Sequence, residues 1–283
     1  MKRYLFIGIV LLLLVPMKVG AQSADISTLS AQGVAIYGWR DGVPTVFYIQ
    51  NDTQPFPIAS ITKLVTAKAV EILYPQNSTI TISASAAKDL DSNGLMLGMT
   101  FSRDDLLRAL LISSNNEAGR QFAEGVGDKV FLDTMNAFLH DNGYLSPKVN
   151  FINPTGLDPN SKATAPNQFT ATTLSTILSD IYRNDPLLTS ILEQKSAVIT
   201  DQNTGMTLSL KSSDELNNDP LYGPHIILSK TGTTALAQQT VAFVTNGQGK
   251  YDYITVVLLH SKDRATDGKR ILDWLQEVLR YNS

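Results

Sequence analysis

The sequence predicts an α/β protein of the α+β kind. One lobe of strands and helices comes from both ends of the chain, and a helical lobe is inserted between them. Three observations carry this. Strand-like runs joined by turn residues stand near both ends, segments of helical period dominate the middle, and a last amphipathic helix closes the C-terminus. With 283 residues, 43% hydrophobic and 17% charged, the chain has material for one sizeable domain or two lobes sharing a core.

The N-terminus stands apart. "MKRYLFIGIVLLLLVPMKVGAQ" places Lys2 and Arg3 before an apolar run from Tyr4 to Val15, then Pro16 and "VGA" before Gln22. This is the layout of a secretory signal cut after Ala21. The run is short for a spanning helix, which needs about 20 residues. Residues 1–21 are therefore expected to be a signal peptide and 22–283 one exported domain. Membrane contact is expected only if the signal stays uncleaved. The α/β lobe is expected from about 30–75 and 205–283, and the helical lobe from about 76–204. Removing residues 1–21 leaves 20 cations against 26 acids, a net charge of −6, which argues against a nucleic-acid partner. The absence of cysteine excludes disulfides, a zinc–thiolate site and a lipid-modified N-terminal cysteine.

The elements follow in order. "GVAIYGWRDGVPTVFYIQ" (33–50) reads as a hairpin around "RDGVP". "SITKLVTAKAVEIL" (60–73) reads as a helix ending before Pro75. From about Thr79 to Ser196 most segments look helical. "TFSRDDLLRALLI" begins with Ser102 and Asp105 in capping-box spacing, "FLDTMNAFLHDNG" ends at a glycine, and "TATTLSTILSDIYRNDP" ends before a proline. "ALAQQTVAFVTNGQGKYDYITVVLLH" (235–260) is a second hairpin. In the final helix Ile271, Trp274, Leu275, Val278 and Leu279 share a face.

Several candidates for chemistry fail. His140, His225 and His260 are too scattered for a metal site or a Ser-His-Asp triad. "DLDSNGLMLGMT" (89–100) imitates a calcium loop through Asp89, Asp91, Asn93 and Gly94, but Thr100 stands where the bidentate glutamate is required. "VGDKV" and "NGQGK" are glycine turns, since neither leads from a strand to a helix start with lysine. No metal and no cofactor is expected.

One constellation survives. Ser60 and Lys63 form S-x-x-K in apolar company, Ser114-Asn115-Asn116 interrupts two helical runs, and Lys230-Thr231-Gly232 ends an apolar strand. S-x-x-K, S-D-N and K-T-G together mark penicillin-binding proteins and related β-lactamases. On a helix, residues i and i+3 share a face, so Ser60 and Lys63 point the same way. A serine hydroxyl needs a base to take its proton, and an ammonium cannot be that base. Burial lowers a lysine's pKa, and a neighbouring cation such as Lys230 acts in the same direction. Lys63 is therefore read as a lysine placed to lose its proton.

Here the chain resembles the D-alanyl-D-alanine carboxypeptidases of the low-molecular-mass penicillin-binding proteins, the S11 serine peptidases. The resemblance covers almost all of the mature chain: "PIASITKLVTA", "LLRALLISSNNEAGRQFAEGVG", "FINPTGLDPN" and "SKTGTTALAQQTVAFV" each look like a family segment. It implies a five-stranded antiparallel sheet with flanking helices plus a helical lobe, peptidoglycan stem peptides as substrates and β-lactams as covalent inhibitors. It implies Ser60 as nucleophile, Lys63 as base and Ser114 as proton relay. Asn116 would bind the substrate amide, and Lys230 would place positive charge near Ser114 and the substrate terminus. The backbone N–H groups of Ser60 and Thr233 would form the oxyanion hole. The hydroxyls of Thr231 and Thr233 could hold a carboxylate, and Gly232 would let substrate approach the strand.

One departure from the family bears on specificity. The arginine often found upstream of the K-T-G lysine is missing from "SLKSSDELNNDP", which offers only Lys211. The expectation is weakened preference for a free C-terminal D-Ala and appreciable activity on cross-links. Two rivals share the fold: a serine β-lactamase, for which "FINPTGLDPN" offers no glutamate and only Asp158, and a non-catalytic exported wall-binding protein.

Overall fold

In the computed structural model, which describes residues 25–88, 94–144 and 150–281, the predicted first hairpin is formed by β1 (Gly33–Arg40) and β2 (Val43–Gln50). Its two-residue turn has Asp41 at φ 52° and Gly42 at φ 79°, the left-handed pair that matches the twist of the strands it joins. The signal segment lies outside the described residues, as do Asp89, Asp91 and Asn93 of the calcium-loop imitation.

After β3 (Phe56–Pro57) a 3-10 turn, Ala59–Thr62, leads into α1 (Lys63–Leu73). The helix expected over 60–73 therefore starts tighter than an α-helix. Its consequence survives, because at three residues per turn positions i and i+3 eclipse one another. The chain then leaves the sheet through β4 (Thr79–Thr81), β5 (Thr100–Ser102), α2 (Arg103–Leu111), α3 (Asn116–Val126), α4 (Asp128–Asp141), β6 (Gln168–Phe169), α5 (Ala171–Asn184) and α6 (Pro186–Leu192). Ser102 caps α2 as its spacing predicts, its hydroxyl accepting from Asp105 N–H at 3.1 Å.

Next comes a hairpin that periodicity does not announce, β7 (Ser196–Thr200) with β8 (Thr207–Lys211), which form a two-stranded sheet among the described residues. The chain returns through β9 (Ile226–Thr234), β10 (Gln238–Asn246) and β11 (Tyr253–Ser261), and closes with α7 (Arg264–Tyr281).

The five long strands make one antiparallel sheet in the order β2-β1-β11-β10-β9. Alternation assigns its two faces. Val34, Ile36, Val241, Phe243, Ile254, Val256 and Leu258 meet Ile271, Leu272, Leu275 and Leu279 of α7. Ala35, Tyr37, Ala242, Val244, Val257 and Leu259 face the larger core, which continues through Leu174, Ile177 and Ile181 of α5 into the helices. The site lies where α1, the α2–α3 turn and β9 converge.

α1 is also braced at its far end. Lys68 donates to Glu71 at 3.0 Å and to Asp185 at 2.6 Å, and Asp185 caps α6 through Leu188 N–H. Burial and the neighbouring Asp185 carboxylate push Glu71 up to about 7, against the pull of Lys68. A proton held by the folded chain and released by the unfolded one makes stability fall as pH rises from 4.5 to about 7. Glu71→Gln, which keeps a donor toward Asp185 at every pH, should remove that loss. Its Tm relative to the parent should climb across this window and then level off, by a benefit on the order of 1 kcal/mol after solvent screening. A gap independent of pH would show that Glu71 holds no proton.

Candidate active site

The S-x-x-K turn is shaped by its neighbours. Ala59 takes φ 47°, unusual for a residue with a Cβ, and turns the chain so that Ser60 faces the cleft while Ile58, Ile61 and Leu64 are buried. Behind the turn lies the "NPTGL" segment, so close that a Cβ on Gly156 would sit 1.8 Å from Ala59 O. Thr66 Oγ1 donates to Pro154 O at 2.6 Å, and Asn167 Nδ2 ties Thr62 Oγ1 (3.1 Å) to Asn153 O (3.0 Å).

Lys63 is completely buried and its Nζ touches three oxygens: Ser60 Oγ at 2.8 Å, Asn116 Oδ1 at 2.7 Å and Thr155 O at 2.9 Å. Two of these, an amide and a peptide carbonyl, can only accept. The third, a hydroxyl, can accept or donate. A neutral amine has two N–H groups and one lone pair. It satisfies all three partners if it donates to Asn116 and Thr155 and receives the Ser60 proton. Burial, then the charge of Lys230, holds Lys63 well below its ordinary value of 10.5, with Glu117 pulling the other way.

The S-x-N turn joins α2 to α3, and each of its residues has a separate task. Ser114, at φ 58°, places its hydroxyl 2.8 Å from Lys230 Nζ. Asn115 caps α3, its Oδ1 accepting from Ala118 N–H at 2.7 Å. Asn116 holds Lys63, which leaves its Nδ2 without a bond among the described residues. Lys230 is 2% exposed and also donates to Thr231 O at 2.9 Å. Burial, then Arg264, lowers it to about 7 against Asp214.

β9 runs along the other side of the cleft. At Gly232 a Cβ would lie 2.7 Å from Ser60 N and 2.8 Å from Ala59 Cβ. The missing side chain thus lets the strand pack against the Ser60 turn and Thr240 Oγ1, which would also lie 2.7 Å from a Cβ there. Thr233 is exposed beside it, and Thr231 Oγ1 lies 3.2 Å from Ser213 Oγ.

The structure thus brings together Ser60, Lys63, Ser114, Asn116, Lys230, Thr231, Gly232 and Thr233. It adds a residue that motif reading missed. Arg264, the first residue of α7, donates through Nη1 to Gly232 O (2.9 Å) and Thr233 Oγ1 (2.7 Å), and pairs with Glu215. Its only sequence signal is a basic residue opening a helix, where the dipole disfavours it. The histidines stay outside: His140 is exposed beside Asp141, and His260 packs against Phe56. No group of three metal-ligating side chains forms among the described residues.

Comparison with known proteins gives the family and the fold. A D-alanyl-D-alanine endopeptidase of Pseudomonas aeruginosa is 33% identical over 125 residues, 42% of this chain and 40% of that protein. The chain thus matches about two fifths of the length of this relative. The fold is that of a D-alanyl-D-alanine carboxypeptidase from Mycobacterium tuberculosis (TM-score 0.75, 22% identity, 90% of this chain and 94% of the other). It is equally that of a DD-transpeptidase from Streptomyces (TM-score 0.74, 20% identity, 88% and 98%). The profile of one family matches residues 24–262, which hold Ser60, Lys63, Ser114, Asn116 and Lys230 though not Arg264, and the chain belongs to that family, the D-alanyl-D-alanine carboxypeptidases of peptidase family S11.

Proposed function

We propose that this chain is an exported serine peptidase that cleaves D-Ala-D-Ala-type bonds in peptidoglycan stem peptides through an acyl-enzyme on Ser60. The observation that carries the reading is the environment of Lys63 Nζ, with two obligate acceptors and the Ser60 hydroxyl as its three partners. Ser60 Oγ attacks the scissile carbonyl as its proton passes to the Lys63 lone pair. The N–H groups of Ser60 and Thr233 receive the oxyanion, a role supported by the contact that Gly232 allows. Ser114, bonded to Lys230, hands a proton to the departing amine. The Lys63 ammonium reprotonates Ser114, which restores its lone pair, and water then attacks the ester with Lys63 again as base and Ser60 Oγ leaving with the proton. Asn116 Nδ2 is placed to hold the substrate amide, and the Thr231 and Thr233 hydroxyls the carboxylate end.

β-Lactams, which present a strained amide and a carboxylate, fit the same groups as covalent inhibitors. A β-lactamase needs a base for the deacylating water. Asp158, the acid in the corresponding segment, is instead spent on Thr234 Oγ1 (2.7 Å) and Leu236 N–H (2.9 Å). No helix among the described residues is long and apolar enough to cross a membrane.

The test is intact-protein mass after benzylpenicillin, followed by mass analysis of digested wall peptides. One persistent penicilloyl group and release of D-Ala or of split dimers are expected. A label that vanishes within a turnover would favour the β-lactamase, and no label at all the binding protein.

A further inference from the structure

Arg264 makes five hydrogen-bond contacts, two to the end of β9 and three to a single carboxylate. Nη1 serves Gly232 O and Thr233 Oγ1. Nε reaches Glu215 Oε2 at 3.3 Å, and Nη2 reaches Glu215 Oε1 at 3.2 Å and Oε2 at 2.9 Å. The arginine is nearly buried, with 8% of its side chain exposed, whereas 63% of the Glu215 side chain is exposed at the rim. Glu215 is held there from both sides. Asp214 and Leu216 are buried, and Leu216 packs so tightly on α7 that a Cβ on Gly268 would lie 2.4 Å from it. A carboxylate beside Thr233 would therefore meet a guanidinium whose Nη1 is already engaged by the strand and whose charge is already balanced by Glu215. Thr233 Oγ1, accepting from Arg264, keeps its own O–H to donate, which is an uncharged contact.

We propose that Glu215 is a specificity-determining residue: it withholds Arg264 from the substrate's terminal carboxylate, so that this enzyme distinguishes only weakly between a free C-terminal D-Ala and the same bond without that charge. The inference rests on the peptidase reading of the site. It gives a physical cause for the relaxed preference expected from "SLKSSDELNNDP". That stretch lacks an arginine of its own and supplies the acid that occupies the arginine of α7.

The test compares kcat/KM for a pentapeptide ending in D-Ala-D-Ala with the same peptide bearing a terminal carboxamide. Active fraction is set in every variant by stoichiometric labelling with a fluorescent penicillin. The parent should favour the acid by less than about tenfold, and Glu215→Gln or Glu215→Ala should raise that ratio by roughly tenfold, one charge-assisted hydrogen bond regained. In Glu215→Gln/Arg264→Gln the gain should disappear. An acid-to-amide ratio unmoved in both Glu215 variants, or a parent ratio of a hundredfold or more, overturns the inference. If the parent is labelled on Ser60 but cuts neither peptide, the peptidase reading fails by itself. Acylation by benzylpenicillin against its methyl ester then reads the same carboxylate, with an unmoved ratio again overturning the role of Glu215. A parent that takes no label overturns both.

Discussion

Arginine in place of Lys63 should abolish acylation. The exchange supplies a fixed positive charge and five donors but removes the lone pair, because a guanidinium does not deprotonate in a protein. Three oxygens surround Nζ in a fully buried pocket, and one of them must give up a proton for the reaction to begin. A positioned base contributes about 10²- to 10⁴-fold, so the rate of fluorescent-penicillin acylation should fall by roughly two to four orders of magnitude. Arginine is also larger, so Lys63→Met, which nearly matches lysine in shape, is the companion variant. It should be equally inert while melting close to the parent. A rate within tenfold of the parent for Lys63→Arg would reduce Lys63 to an electrostatic role.

Alanine at Gly156 should damage both stability and catalysis although it touches no substrate. Gly156 has φ 82°, a region that costs a residue with a Cβ about 1–2 kcal/mol. The added carbon would lie 1.8 Å from Ala59 O, 2.4 Å from Ala59 C and 2.7 Å from Thr62 Oγ1. Two of these atoms are backbone, so the segment must move as a whole, which adds roughly 1–3 kcal/mol. If it withdraws, Thr155 O leaves Lys63; if the turn yields instead, Ser60 leaves Gly232. The expected Tm drop is around 10 °C, with acylation slowed at least tenfold well below the new midpoint. Gly205 is the control. It has φ 74° with nothing within 4 Å of its Cβ position, so Gly205→Ala should suffer only the conformational cost. Equal effects at both positions would mean that the contact between segment and turn is unimportant.

Both variants probe what could and could not be read in advance. Ser60, Lys63, Ser114 and Lys230 were legible because their spacing within each motif is fixed by local geometry: a helical turn, a capped loop, a strand. The hairpins and the Ser102 cap were legible for the same reason. Arg264 and Glu215 were not, since they meet only when α7 folds back over the far end of β9. No local pattern records an encounter between residues so distant in the chain. Gly232 was recognised as a residue needing space, but which neighbour needed it depended on the packing of strand against turn. The β7–β8 hairpin escaped because Val198 is exposed and Ile199 buried in a five-residue run, too short to show a period. The start of α1 was misplaced because Ala59 adopts a backbone conformation that alanine rarely takes on its own.

The pairing of β1 with β11 sets a schedule for the chain as well as a shape. Gly33 finds its partner in Leu259 and Trp39 in Tyr253, so the first strand made must wait for nearly the last. Until β11 exists, β1 and β2 are an isolated hairpin, which has little stability in water. Contacts of such large sequence separation slow folding, because a long loop must close before any pairing is gained. A nascent or partly translocated chain is thus barred from completing its sheet until its final segment arrives. For the export proposed above this is an advantage, since the polymer stays threadable and does not become an active peptidase on the wrong side of the membrane. The same arrangement makes the last strand the point at which truncation removes everything at once.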